Sequence, residues 1–180
     1  MSSPEQLQHD GIKLFDQHDY EAAARAFQDA RDAFMQDDNH DMAAEMSVNI
    51  GLVHRALGES QQALEMMQEA LRHFQSQDDK LRTAQVLGNL GGVYMALNDK
   101  EHAELSYRQA SNLFKEIGED TLYSETLMAL GAMQFRDGKV MAGAATYGVA
   151  LENRDDLTAP QRIIKMLSNV INRLSGTPTA

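Results

Sequence analysis

Residues 89–110 read NLGGVYMALNDKEHAELSYRQA, and the reading of this stretch decides the fold. Gly91 is followed twelve residues later by Ala103, then by Tyr107 and Ala110. The same order stands three more times in the chain, each time shifted by 40 residues. Gly11, Gly51, Gly91 and Gly131 form one column, and Ala23, Ala63, Ala103 and Gly143 form the next. Phe27, Met67, Tyr107 and Tyr147 follow, and then Ala30, Ala70, Ala110 and Ala150. Phe34, Phe74 and Phe114 continue the order, and Arg154 breaks it. Repetition at one fixed period of this size marks an array of supersecondary units.

The columns have a physical reading. A Gly or Ala at a helix crossing lets two backbones approach, and the large residue four places after the Ala fills the space beside the crossing. His18, Gly58, Asn98 and Gly138 fall between the two halves of each repeat, again 40 apart. Gly and Asn tolerate a left-handed backbone and end helices. The pattern predicts helices over about 4–17, 20–36, 41–57, 60–76, 80–97, 100–117, 120–137, 139–153 and 159–174. Pro stands only at positions 4, 160 and 178, so nothing interrupts these helices. The expected organisation is all-α. Four helix–turn–helix repeats fill residues 1–157, at about 4–37, 41–77, 80–117 and 120–153. A capping helix follows over 158–175, opened by Thr158 with Pro160 in its first turn, and 176–180 form a flexible tail.

These columns resemble the tetratricopeptide repeat, whose first helix carries Gly or Ala and whose second carries Ala, an aromatic and Ala. Asn89-Leu90-Gly91-Gly92-Val93-Tyr94 with Ala103, Tyr107 and Ala110 is the nearest match, and the resemblance covers about residues 4–153. It implies a right-handed superhelical solenoid whose first helices line a concave face. The chain departs from the family in its period, 40 in place of 34. Only Tyr94 supplies the late aromatic of the first helix, where Leu14, His54 and Gln134 stand elsewhere, and the Pro that usually ends a repeat is missing.

Composition excludes several classes of chemistry. The chain has no Cys, so disulfides, thiolate metal sites and thiol nucleophiles are ruled out. Its net charge of −11 does not suit a duplex-binding surface, which needs clustered Lys and Arg. The six His residues include no pair three or four apart, Gly88 to Gly92 follows no strand as a phosphate loop would, and no nucleophile turn is present. The expectations are therefore no enzyme, no cofactor, no metal and no nucleic acid. The chain also shows no leader and no membrane span, and a cytoplasmic location fits.

The resemblance implies a partner-binding groove on the first helices. Carried over by position, the second repeat offers Glu45, Val48, Asn49, Leu52 and Arg55. The third offers Gln85, Gly88, Asn89, Gly92 and Met95. The fourth offers Glu125, Met128, Ala132 and Phe135, with Arg136 beside them. Asn49 and Asn89 share one column, and a side-chain amide donates to a peptide carbonyl and accepts from its N–H at once. No Lys or Arg stands at positions 8, 12, 49, 85 or 89, so a clamp for a C-terminal carboxylate is not expected. The implied function is a non-catalytic module that holds a peptide or helix of another protein in this groove. The competing reading is a self-associating scaffold. Its final helix carries Ile163, Leu167, Val170 and Leu174 on one stripe, which Ile164, Met166 and Ile171 widen beyond one contact face.

Overall fold

A computed structural model describes residues 2–152 and 158–175. Its helices are α1 (Pro4–Asp16), α2 (Tyr20–Gln36), α3 (His40–Ala56), α4 (Ser60–Ser76), α5 (Lys80–Ala96), α6 (Lys100–Ile117), α7 (Asp120–Arg136), α8 (Val140–Ala150) and α9 (Ala159–Ser175), and no strand occurs among the described residues. The expected flexible tail at 176–180 lies outside them. So does the end of the eighth predicted helix: α8 stops at Ala150, Leu151 and Glu152 form a turn, and residues 153–157 are not described.

The helices are punctuated every 20 residues, as the predicted helices were, and a left-handed residue stands at every break from α1 to α8 rather than only at the four that the sequence columns marked. His18, Asp38, Asp78 and Asn98 have φ values of 62°, 54°, 54° and 58°, and Gly58, Gly118 and Gly138 have 80°, 77° and 74°. At each position one residue in the left-handed region closes a helix. The next residue sends its N–H back five places, as in Asp19 to the Leu14 carbonyl at 3.0 Å and Glu59 to that of His54 at 2.8 Å. That same residue opens the following helix. Asp19, Asn39, Asp79 and Asp99 each accept a hydrogen bond from the backbone N–H three places on. In the acidic pairs at 37–38 and 78–79, Asp38 and Asp78 therefore carry the left-handed turn.

The chain forms two compact units, residues 1–103 and 104–180, with the boundary inside α6. In the N-terminal unit each helix packs on its chain neighbours, and α3 also touches α5. Phe27 and Phe34 of α2 share a core with Met46, Ile50 and Val53 of α3. Met67 and Phe74 of α4 share another with Val86, Leu90 and Val93 of α5. The glycine columns lie at the crossings. A Cβ on Gly11 would lie 2.7 Å from the Phe27 ring, and one on Gly51 would lie 2.9 Å from Met67 Cγ.

The C-terminal unit repeats this at Gly131, where a Cβ would lie 2.7 Å from Tyr147 and 3.2 Å from the Gly143 carbonyl. Gly143 replaces the Ala of the other repeats because the Phe135 ring occupies the space a Cβ would need, 3.0 Å away. Gln134, in the column of the late aromatic, is buried and accepts a hydrogen bond from the Thr146 hydroxyl at 2.8 Å. α9 packs on α8, and its Ile163, Leu167 and Val170 stripe remains exposed. The close approach is Ser168 against Gly148, two small groups that let the backbones meet. The side chains of Ile171 and Leu174 lie outside the described residues.

Candidate partner-binding face

The face expected to bind a partner belongs in the N-terminal unit to α3 and α5. Asn49 and Asn89 occupy equivalent turns of these neighbouring helices and are both half-buried. Neither amide forms a hydrogen bond among the described residues. Gly88, one residue before Asn89, has open space where a Cβ would stand. It thus differs from Gly51 in kind, since no packing requires it. Gln85 and Arg55 are exposed, and Gly92 and Met95 are half-buried.

Other residues of the expected groove are already committed within the fold. Val48 and Leu52 pack partly against the core formed by α4 and α5, so they supply less free apolar wall than their column implied. Glu45 is paired with Arg82 of α5 at 2.9 Å. In the C-terminal unit Glu125, Ala132 and Arg136 are exposed and Met128 is half-exposed, while the Phe135 ring lies against Gly143 and near Tyr147, 6.0 Å between centroids.

A charged cluster that sequence reasoning missed borders this face. Arg82 reaches Glu45 at 2.9 Å, Asp79 at 3.3 Å and Asp41 at 3.6 Å, and its guanidinium lies 5.5 Å over the Phe74 ring. His73 bonds to the same Asp41 at 2.6 Å. That hydrogen bond holds the Asp41 carboxyl below its usual range, and the charges of His73, Arg82 and His40 act in the same direction. Arg31 of α2 reaches Glu69 of α4 at 2.8 Å, and in the C-terminal unit Lys139 reaches Glu104 at 3.0 Å. Apart from Arg82 and Asp79, the partners are 32 to 41 residues apart, close to one repeat, so a search for opposite charges one period apart would have found them. A cleft of about 690 Å³ opens beside this cluster, where Arg31, Asp41, Glu69 and His73 meet, and none of the expected groove residues lines it. No group of His, Asp and Glu side chains among the described residues is arranged to hold a metal ion.

The tetratricopeptide-repeat family model matches residues 11–76 and 41–116, more than half of the chain. The chain belongs to the tetratricopeptide repeat family, a group of all-α helical repeats that generally mediate protein–protein interaction without catalysis. Among solved structures it is similar to the crystal structure of BtubC (BKLC) from P. vanneervenii. Identity is 19%, the TM-score is 0.72, and the match covers 94% of this chain and 67% of that one. No curated protein matches the sequence. Among the described residues no helix is long and apolar enough to cross a membrane.

Proposed function

We propose that the chain is a non-catalytic cytoplasmic module that binds an extended peptide of a partner protein along the first-helix face of its N-terminal unit. The observation that carries the reading is the pair of unbonded, half-buried amides at Asn49 and Asn89, one repeat apart, with open space at Gly88 between them in sequence. Amides so placed grip a peptide backbone, which every sequence presents, and Gly88 leaves room for a partner side chain. Gln85 and Arg55 on the same face supply further polar contacts. The acidic surface, with a net charge of −11, favours a peptide over nucleic acid.

A peptide array probed with wild type and with the Asn49→Ala/Asn89→Ala double variant tests this. Circular dichroism should show the fold unchanged, because neither side chain is part of the core. Each lost pair of hydrogen bonds is worth about 1–2 kcal/mol, so peptides that bind wild type should bind the double variant tens- to hundreds-fold more weakly. Arg55→Ala separates the contribution of charge on that face from that of the amides. Equal binding by wild type and double variant would refute the amide clamp.

A further inference from the structure

α9 is an amphipathic helix that turns its apolar side outward. Its contact with α8 runs through Ser168, which is buried; a Cβ on Gly148 would overlap the Ser168 hydroxyl and stand 2.5 Å from the Ser168 Cβ. Ile163, Met166, Leu167 and Val170 lie on another side and are 56%, 60%, 48% and 47% exposed. Their spacing of three, one and three residues puts all four on one stripe. One period earlier in α7, Thr126, Leu127 and Leu130 are buried. The repeat register has thus carried a core-forming stripe into α9, where nothing among the described residues covers it.

We propose that this stripe is covered by the α9 stripe of a second copy of the chain, the two helices lying antiparallel about a twofold axis. This goes beyond the peptide-binding reading and does not depend on it. The first argument is self-complementarity. Ile163, Leu167, Val170 and, in sequence, Leu174 are spaced four, three and four residues apart, and that order is the same read in either direction. An antiparallel copy therefore brings Leu167 opposite Val170 and position 163 opposite position 174, in the four-three rhythm by which paired helices interlock. A twofold contact needs such a surface, since it meets itself.

The stripe itself is free of charge. α9 carries Arg162, Lys165 and Arg173 and no acidic residue, but none of these stands within the stripe. Lys165 donates to the Glu152 carbonyl at 3.0 Å, and Arg162 is engaged within its own chain. The stripe itself is aliphatic and thioether only, so its match is another apolar stripe. The net charge of −11 opposes docking on an anionic lipid surface. The exposed parts of the four side chains amount to on the order of 400 Å² per copy, about half of what each partner buries in a standard stable interface. The dimer is accordingly weak and reversible, forming at micromolar concentrations or above.

Sedimentation equilibrium of the full chain from about 1 to 500 μM brackets that range. Wild type should move from the monomer mass towards twice that mass across the range, and the Leu167→Lys/Val170→Lys variant should stay monomeric with unchanged helicity. Two chains of charge −11 repel, so raising salt should strengthen the wild-type association, whereas capture of an acidic partner by the basic residues of α9 would weaken with salt. The chain has no native Cys, which allows a check of orientation. On oxidation, a mixture of Leu167→Cys and Val170→Cys chains should cross-link chiefly as the mixed pair. A wild type that is monomeric throughout would overturn the proposal, as would a dimer that survives the double substitution. Like-with-like cross-links would overturn the antiparallel arrangement.

Discussion

Gly51 and Met67 form the crossing of α3 and α4: a single added carbon on Gly51 would stand 2.9 Å from Met67 Cγ and 3.3 Å from the carbonyl oxygen of Ala63. The side chain has some freedom to move and the carbonyl little. Gly51→Leu should therefore push the two helices apart and cost about 2–4 kcal/mol, as overpacking of a tight core does. Gly88 is the internal control, because a Cβ there meets nothing within 4 Å. Gly88→Ala should stabilise by about 0.5–1 kcal/mol through helix propensity alone. Thermal melts of the two variants should shift in opposite directions, and equal melts would mean that the glycine column is not where the helices meet.

The left-handed turns give a second pair. Gly58 has a φ of 80° and open space around its Cα, so Gly58→Ala should lose about 1 kcal/mol from backbone strain alone. Asp78 holds a φ of 54° with a side chain attached. Asp78→Gly should be neutral or gain up to about 1 kcal/mol, the relief of strain being offset in part by the looser unfolded chain. Urea midpoints with unchanged slope are the measurement, and a gain on Gly58→Ala would contradict the turn assignment.

Acid stability should depend on Asp41. Its folded pKa is lowered, first by the His73 hydrogen bond, so its contribution is fully present above the unfolded carboxylate value of about 3.9 and is lost as pH falls through the folded value. Asp41→Asn should lower the melting temperature at pH 6, and the difference should shrink as pH falls below the unfolded value and through the lowered folded one. The carboxylate is substantially exposed, 54% by side chain, so the effect is at most of the order seen for surface pairs. A constant difference between variant and wild type across that pH range would show that the carboxylate charge plays no part.

The docking of α9 rests on the absence of a side chain at position 148. Gly148→Val should displace Ser168 and release α9 from α8, because the new carbons would occupy the place of the serine. Hydrogen exchange should then quicken across residues 159–170, with protection over 40–96 in the N-terminal unit unchanged. Unaltered exchange in α9 would place its anchor elsewhere.

The repeat, the helix order and the crossing glycines were legible because each rests on a residue type that backbone geometry demands, and four copies exposed the demand. Gly51 with Met67 is such a case. The 20-residue turn was half hidden: Gly58 and Gly138 announce a left-handed backbone, whereas Asp38 and Asp78 resemble ordinary helix caps. The stripe of α9 was legible, but the face by which α9 packs on α8 was hidden for a different reason. Periodicity shows that Ile163, Leu167 and Val170 share a face, but the face chosen for packing was decided by Gly148 and Ser168, whose small size is no signal by itself. On the candidate binding face the columns located Asn49 and Asn89. They did not show that Glu45 was tied to Arg82, since that pair forms only once two repeats are stacked.

Packing confined to chain neighbours bears on how the molecule acquires its structure. In the N-terminal unit α1 meets α2, α2 meets α3, and so on, with the skip from α3 to α5 as the longest reach. No helix there waits for a distant segment to arrive, and chains whose contacts are this local fold on the fast side of the range, in micro- to milliseconds. The same locality lets any helical hairpin serve as the first nucleus. A nascent chain would thus acquire α1 and α2, with Gly11 already seated on Phe27, as soon as those residues were synthesised, and each later helix would find its docking surface waiting.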